Sequence, residues 1–387
     1  MRFIHTADWH LGRNFRGVHL TEDQSYVLAD FLRMVTDSRA EAVIIAGDIY
    51  DRAVPPTEAV ELFDEVLTKL LLEKKVRVFC VAGNHDSAQR VGFGSRLLAG
   101  QGLFLRGQLT ADAAPVVVED AYGPVYVSLF PYMDPAAVRG AYGRQEIMDF
   151  DTATGLVIED ARSRIPAGER SIAVSHAFIA GGQTSESERP LSVGGSSNVG
   201  AGHFRGYSYT ALGHLHNAQT AGAECIRYSG SLMKYSFDEA GQKKSLAVVE
   251  LDGAGQVSVE LLPLRPRHDV CRVRGYMADI LRDRDTFPCS EDYMEVDLLD
   301  TEAVLDAYRK LQDIYPNLLL IDRPNLLRGG EQQLVKSKDR NRSSLSLFAD
   351  FFQEMTAEAL TEEQRKEVSD SMDRVLRGER EAEPCDH

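Results

Sequence analysis

Apolar positions in this chain fall in short, dense runs that stop at polar residues. Eight of them are RFIHTAD (2–8), AVIIAGD (42–48), VRVFCVAGNHD (76–86), VYVSLFPY (125–132), SIAVSHA (171–177), YTALGHLH (209–216), LAVVEL (246–251) and VSVELL (257–262). Near-continuous apolar runs of this length predict buried strands. Helical periodicity lies between the first three. One such stretch covers about 22–38. Another follows Pro55-Pro56, with Thr57 as its expected N-cap, and places Val60, Phe63, Val66, Leu67 and Leu70 on one face. Strand, helix, strand, helix, strand predicts an α/β chain. The strand-rich part that follows predicts a second sheet. The expected architecture over 1–262 is therefore a two-sheet β-sandwich flanked by helices.

The pattern changes at PLRPRHD (263–269), where two prolines and several charges read as a linker. Beyond it the spacing predicts a small α+β capping domain, 263–334. Its elements are a strand at 270–275, a short helix, a strand at 292–299, a helix from Thr301 to about Ile314 and a strand at 317–322. The remaining region, 335–387, opens on the basic stretch VKSKDRNR. Leu345, Phe348, Phe352 and Met355 then recur at helical spacing, and Thr361 starts a second, charged helix that includes Val368, Met372 and Val375. This predicts a helical hairpin with an aromatic face. At the end of the chain little core remains to receive that face, so a partner helix or coiled coil would suit it. There is no internal repeat and no low-complexity tract.

Composition narrows the class. A chain of 387 residues suggests two or three domains, and 43% hydrophobic with 26% charged residues suits a globular protein with a sizeable core. No run of 18 apolar residues predicts a membrane span, and the N-terminus lacks the apolar core of a signal peptide. The five cysteines (Cys80, Cys225, Cys271, Cys289, Cys385) are odd in number, scattered and without a CxxC pair. That excludes a disulfide scaffold or zinc ribbon and fits a reduced, cytoplasmic protein. A net charge of −16 first argues against nucleic acid. However, 345–387 carry 12 acidic and 5 basic residues, which alone supply −7, whereas Lys336, Lys338, Arg340 and Arg342 face a single Asp339. Carboxylates that bind metals also count as negative, although the ions offset them. Net charge therefore does not decide the partner.

The ends of the strands carry the candidate chemistry. The first ends in Asp8-Trp9-His10, the second in GDIYD (47–51), the third in GNHD (83–86); then come His176 and GHLH (213–216). In an extended segment Asp8 and His10 would share a face and Trp9, the single tryptophan, would point to the core. Each stretch has a plain structural explanation: a Gly-Asp turn, a helix cap at Asn84-His85-Asp86, a hydrogen-bonded core histidine at 176. Five elements delivering Asp, Asn or His to the carboxyl edge of an α/β sheet, where ligands collect, point instead to a metal site. Carboxylate, amide oxygen and imidazole without cysteine suit Mn²⁺, with Fe, Co or Zn next. Seven donors (Asp8, His10, Asp48, Asn84, His176, His214, His216) exceed the need of one ion and suit two that share a carboxylate. Such a pair, roughly 3.5–4 Å apart, clamps the attacking and leaving oxygens of a phosphoryl displacement. The glycine-rich SVGGSSNVGAG (192–202) lacks the GxxxxGK[ST] spacing and is not a nucleotide P-loop; it is expected to be a flexible loop.

The series DWH, GDIYDR, GNHD, His176 and GHLH resembles the calcineurin-like metallophosphoesterase superfamily. Together with MRFIHTADWHLGR, VAGNHDS, YTALGHLHNAQ and YSGSLMKYSFDEAGQKKSLAVVEL (228–251), it is most similar to the D subunits of bacterial SbcCD nucleases. The likeness covers 1–260 strongly and rests on domain order beyond. It implies a metallophosphoesterase fold and two Mn²⁺, with Mg²⁺ or another divalent ion as the alternative. Asp8, His10 and His216 would hold one ion, Asn84, His176 and His214 the other, and Asp48 would bridge. His85 would be the general acid at the leaving sugar oxygen. Arg52, Asp51, Tyr228 and Ser229 are the expected substrate contacts. Archaeal relatives carry a second active-site histidine where this chain has Asp51. An ionised carboxylate only accepts, so Arg52 is the expected substitute on the phosphate, unless it pairs with Asp51 or Asp86. The implied function is a DNA nuclease, acting as a 3′–5′ exonuclease on duplex ends and as an endonuclease on single strands and hairpins. It would serve DNA end processing, repair and recombination as part of an ATP-dependent SbcCD complex. The C-terminal hairpin would grip an SbcC-type ATPase near the root of its coiled coil, and the helix at 57–72 would join a homodimer. The setting would be the cytoplasm, at the nucleoid. A phosphatase on the same core shares every ligand but does not need the added domains. A non-catalytic scaffold would be expected to lose ligands, and none is lost.

Overall fold

Two six-stranded sheets pack face to face through one apolar layer. The first has the strand order Val257–Pro263, Ser245–Leu251, Arg2–Thr6, Ala42–Ile45, Arg77–Val81, Leu103–Arg106; the second has Gln219–Thr220, Ile226–Tyr228, Tyr209–Gly213, Arg170–His176, Gly123–Phe130, Val116–Asp120. Each is parallel at its centre and antiparallel at an edge. This computed structural model describes residues 1–188, 198–282, 291–302, 304–325 and short stretches between 348 and 368. The chain divides into two compact units, Met1–Leu326 and Leu327–His387.

The apolar layer is built from Phe3, Ile44, Phe79 and Val249 of the first sheet against Val127, Ile172, Val174 and Tyr209 of the second, all fully buried. A buried histidine crosses it. His5 meets the Tyr209 hydroxyl at 3.0 Å through Nδ1 and donates from Nε2 to the Leu212 carbonyl at 3.1 Å. Burial drives its pKa down to about 3, so it sits there neutral. All eight strands read from the apolar runs are present. Leu103–Arg106, Val116–Asp120, Gln219–Thr220 and Ile226–Tyr228 were not read, because they are short and most are half exposed at a sheet edge.

Helices cover the outer faces. Thr21–Asp37 and Thr57–Thr68 pack on the first sheet and Phe150–Arg162 on the second. Pro56, not Thr57, stands at the N-cap of the second helix, and no side chain caps it; the fixed φ of proline prepares the entry instead. Its buried stripe is Ala59, Leu62, Phe63 and Val66, with Leu70 on a following π-turn, Lys69–Glu73, whereas Val60 faces solvent.

The small domain is a βαβαβ unit whose strands Val270–Gly275, Tyr293–Leu298 and Leu318–Asp322 run parallel. Its second helix starts at Ala307 rather than Thr301, after Asp306 in the left-handed region. Tyr293 and His268 both bond Asp23 at the start of the Thr21–Asp37 helix, at 2.8 and 2.7 Å, and Lys234 reaches Asp269 at 2.9 Å. In the second unit, Thr361 and Gln364 form a reciprocal capping box, with Gln364 N donating to Thr361 Oγ1 and Thr361 N to Gln364 Oε1. Leu345, Met355, Met372, Val375 and the basic 335–342 stretch lie outside the described residues. No helix of the described residues is long and apolar enough to cross a membrane.

Candidate metal centre

The site forms where the carboxyl ends of the parallel strands from both sheets meet. The strands Arg2–Thr6 and Ala42–Ile45 end, but their loops stay zipped together. Asp8 N donates to Gly47 O, His10 N to Asp48 O and Leu11 N to Ile49 O, each at 2.9–3.0 Å. Asp8, His10 and Asp48 take positive φ (54°, 46° and 49°). Asp8 and His10 therefore share a side through two left-handed residues, not through the extended alternation expected from sequence. Trp9 still faces the core. It is fully buried, edge-on to Phe31 and Phe63, and its indole N–H donates to Thr6 Oγ1 at 2.9 Å. Two glycines permit the close approach. A Cβ on Gly47 (φ +93°) would lie 2.4 Å from His176 Nδ1, and one on Gly83 would lie 2.1 Å from Asp48 Oδ1.

Seven predicted donors are brought together. Asp8, His10 and His216 form one group of converging ligand atoms, and Asp8, Asp48 and His176 form another. His10 Nε2 and His216 Nε2 are 3.1 Å apart. His176 Nε2 and His214 Nδ1 approach the same Asn84 Oδ1, at 2.9 and 3.2 Å. Asp48 Oδ2 lies 3.8 Å from His10 Nε2 and 3.5 Å from His176 Nε2. Both oxygens of Asp8 accept from His214 N, at 2.9 and 3.1 Å.

This donor set fits divalent cations on four counts. Burial, then the Asp48 charge, push Asp8 well above the usual carboxylate range. Burial holds His10 and His214 well below the usual histidine value and takes His176 to about 4, so neutral imidazole lone pairs are on offer. Moreover, His176 Nδ1 donates to the Ala46 carbonyl at 2.9 Å. A neutral His176 thus turns a bare Nε2 toward the Asn84 oxygen, a contact of two acceptors that a cation relieves. Among the described residues, His10 Nδ1 is a buried nitrogen without a hydrogen-bond partner.

His85 stands beside these groups. Its backbone N–H donates to Asp48 Oδ1 at 2.8 Å, and Nδ1 donates to the Asp51 carbonyl at 2.8 Å. That leaves Nε2 toward the cluster, 4.0 Å from Asp48 Oδ2. The Asp51 carboxylate binds Arg13 at 2.9 Å, and the Arg13 guanidinium lies over the Tyr235 ring at 5.1 Å. Arg52, by contrast, is exposed and makes no ion pair among the described residues. It pairs with neither Asp51 nor Asp86. Asp86 instead accepts the N–H groups of Ile49, Tyr50 and Gly83, and burial with the Asp48 charge raises it to about 6. Arg13 gave no sequence signal beyond its place in HTADWHLGR.

Tyr228 and Ser229 correct the expected substrate contacts. Both are 1% exposed. The Tyr228 hydroxyl donates to Ala177 O at 2.7 Å and accepts from Ile179 N at 2.8 Å, and Ser229 Oγ donates to Gly230 O. Tyr228 braces the loop after His176, and Ser229 is held within its own turn; both are buried. The same 228–251 run holds a second group that was missed. His216 Nδ1 meets Ser187 Oγ at 2.6 Å; Ser187 donates to Glu239, and Lys244 Nζ donates to Glu239 Oε2 at 2.6 Å. Burial would raise Glu239, but its bonds with His216 and Lys244 override that and hold it ionised.

Residues 1–189 match the calcineurin-like phosphoesterase family, and residues 266–356 match a family described as the type 5 capsule protein repressor C-terminal domain. The chain is 29% identical to the D subunit of nuclease SbcCD from Staphylococcus epidermidis, over 97% of its own length and 99% of that protein's. Among solved structures, TT1561 of Thermus thermophilus is 14% identical (TM-score 0.36), covering 67% of this chain and 98% of its own. A dimetal phosphatase from Danio rerio is 13% identical (TM-score 0.38), covering 68% and 98%. The strand-end ligand types and the family match agree on one point: residues 1–189 form a calcineurin-like phosphoesterase domain.

Proposed function

We propose that the chain is a metal-dependent DNA nuclease, the D subunit of an SbcCD-type complex, hydrolysing phosphodiesters with two divalent ions. The observation that carries this reading is similarity to the SbcCD nuclease's D subunit along nearly the whole of both chains, across the small domain as well as the catalytic core. In this reading Asp8, His10 and His216 hold one ion, Asn84, His176 and His214 the other, and Asp48 lies between. The carboxylate, amide and imidazole donors favour Mn²⁺. Bound ions supply charge neutralisation at the phosphate and a nucleophilic water at neutral pH.

The chain's own part is orientation and proton transfer. The Asp51 carbonyl fixes His85 by its Nδ1–H, so the imidazolium form gives its second proton, on Nε2, to the leaving sugar oxygen and is left as the neutral ring. Arg13, held by Asp51, supplies the cation on that side for a phosphate oxygen. Duplex ends, single strands and hairpins are the substrates, cut 3′–5′ from ends. An SbcC-type ATPase binds the C-terminal hairpin and gates entry, and the Thr57–Thr68 helix contributes to a homodimer. The protein works in the cytoplasm, on the nucleoid, in repair and recombination.

The test is hydrolysis of end-labelled duplex and hairpin DNA in Mn²⁺, with and without the ATPase and ATP. His85→Gln is expected to abolish cleavage while metal content stays at the wild-type level. Normal cleavage by that variant, or faster turnover of phosphomonoesters than of DNA, overturns the assignment.

A further inference from the structure

The two ion positions are supported in unlike ways. On the Asn84 side, His176 is fixed by a main-chain carbonyl, Ala46 O, at the end of a central strand. On the Asp8 side, His216 is fixed by side chains from two separate loops. The direction of each hydrogen bond can be read. Lys244 is donor-only and bonds Glu239, so Glu239 is the acceptor for the Ser187 hydroxyl proton. Ser187 Oγ, its proton committed, accepts from His216 Nδ1–H at 2.6 Å, with Glu239 Oε1 a second, longer acceptor of the same proton at 3.3 Å. That fixes the His216 tautomer with a bare Nε2, the atom 3.1 Å from His10 Nε2. Glu239 is fully buried, and Lys244 and Ser187 are nearly so (7% and 8% exposed).

The segment bearing Ser187 is itself anchored to the same loop. Glu188 Oε1 accepts the His216 backbone N–H at 2.7 Å, and its carboxylate also binds Ser185 N and Oγ at 2.9 Å. Lys244 Nζ returns to the His216 carbonyl at 2.7 Å. Among the described residues, every hydrogen bond that orients His216 comes from outside the sheets.

We propose that Ser187 and Glu239 are positioning residues for one ion only, the one held by Asp8, His10 and His216, so that this position can be weakened without disturbing its neighbour. This rests on the two-ion reading of the site. Outer hydrogen-bond partners of a ligating histidine set its orientation and basicity, and their loss commonly costs about 10–100-fold in metal affinity.

The experiment is calorimetric titration of the full-length chain with Mn²⁺ alone, with bound metal counted by mass spectrometry and the fold checked by circular dichroism. The wild type is expected to take two ions. Ser187→Ala and Glu239→Gln are expected to weaken one of them about tenfold or more and leave the other unchanged, and Ser187→Thr, which keeps the hydroxyl, is expected to restore it. Because Glu239→Gln leaves Lys244 without its buried partner and can harm folding, the Ser187 pair is decisive. Two wild-type ions with unchanged binding in folded Ser187→Ala, or an equal loss at both positions, overturns the proposal alone. A wild type that takes fewer than two ions overturns the two-ion reading, and this inference with it.

Discussion

Arg13 and Arg52 separate what a residue's neighbours in sequence suggest from what its neighbours in space do. Arg52 follows Asp51 directly and points to solvent. Arg13, 38 positions earlier, holds the Asp51 carboxylate and lies against Tyr235. A hydrogen bond to a charged group contributes about 1.5–3 kcal/mol, so Arg13→Ala should lower kcat/KM on DNA tenfold or more. Arg52→Ala should leave it near the wild-type value. Steady-state cleavage at one salt concentration checks both, and equal effects would remove the distinction. The ligand types themselves were legible in sequence, since Asp, Asn and His at strand ends carry their chemistry in their names. The left-handed φ of Asp8, His10 and Asp48 was not legible, because only a steric fit against a second loop makes that conformation stable.

At the level of elements, long apolar runs announced the central strands and the edge strand Val257–Pro263, and the shorter edge strands went unread because their pattern is weak. The Ser187–His216–Glu239 chain was illegible for another reason. Its members are 29 and 23 residues apart, on a loop and a short 3-10 turn that carry no periodic signal. His5, where one sheet reaches the other, yields a measurable consequence. Its folded pKa of about 3 lies below the ordinary 6.5, so below pH 6.5 the unfolded chain takes up a proton that the folded chain refuses. Stability from this group is complete above about pH 6.5 and is lost as pH falls toward 3, with a slope approaching about 1.4 kcal/mol per unit. Denaturant unfolding across pH 4–7 should show His5→Gln with a slope shallower by one proton than the wild type. Parallel curves would mean that His5 is not buried neutral.

For the whole molecule, the site's position matters as much as its contents. Asp8, His10, Asp48 and Asn84 follow strands of the first sheet, and His176, His214 and His216 belong to the second. Each half alone presents only part of the ligand set. Ions that bind the joined sheets and not the unfolded chain stabilise it by about 2.7 kcal/mol at a hundred times their dissociation constant. Chelation should therefore lower the melting temperature, and added Mn²⁺ should restore it in step with its concentration. An unchanged melting curve in chelator would place the ions outside the fold's energetics. A melting temperature that falls in chelator would make the metal a clasp between two halves as well as a reagent. In metal-poor surroundings such a protein would stop working and begin to come apart along the same seam, exposing a strand-rich interior to proteases. Its lifetime in the cell, and not only its rate, would follow the free-ion concentration.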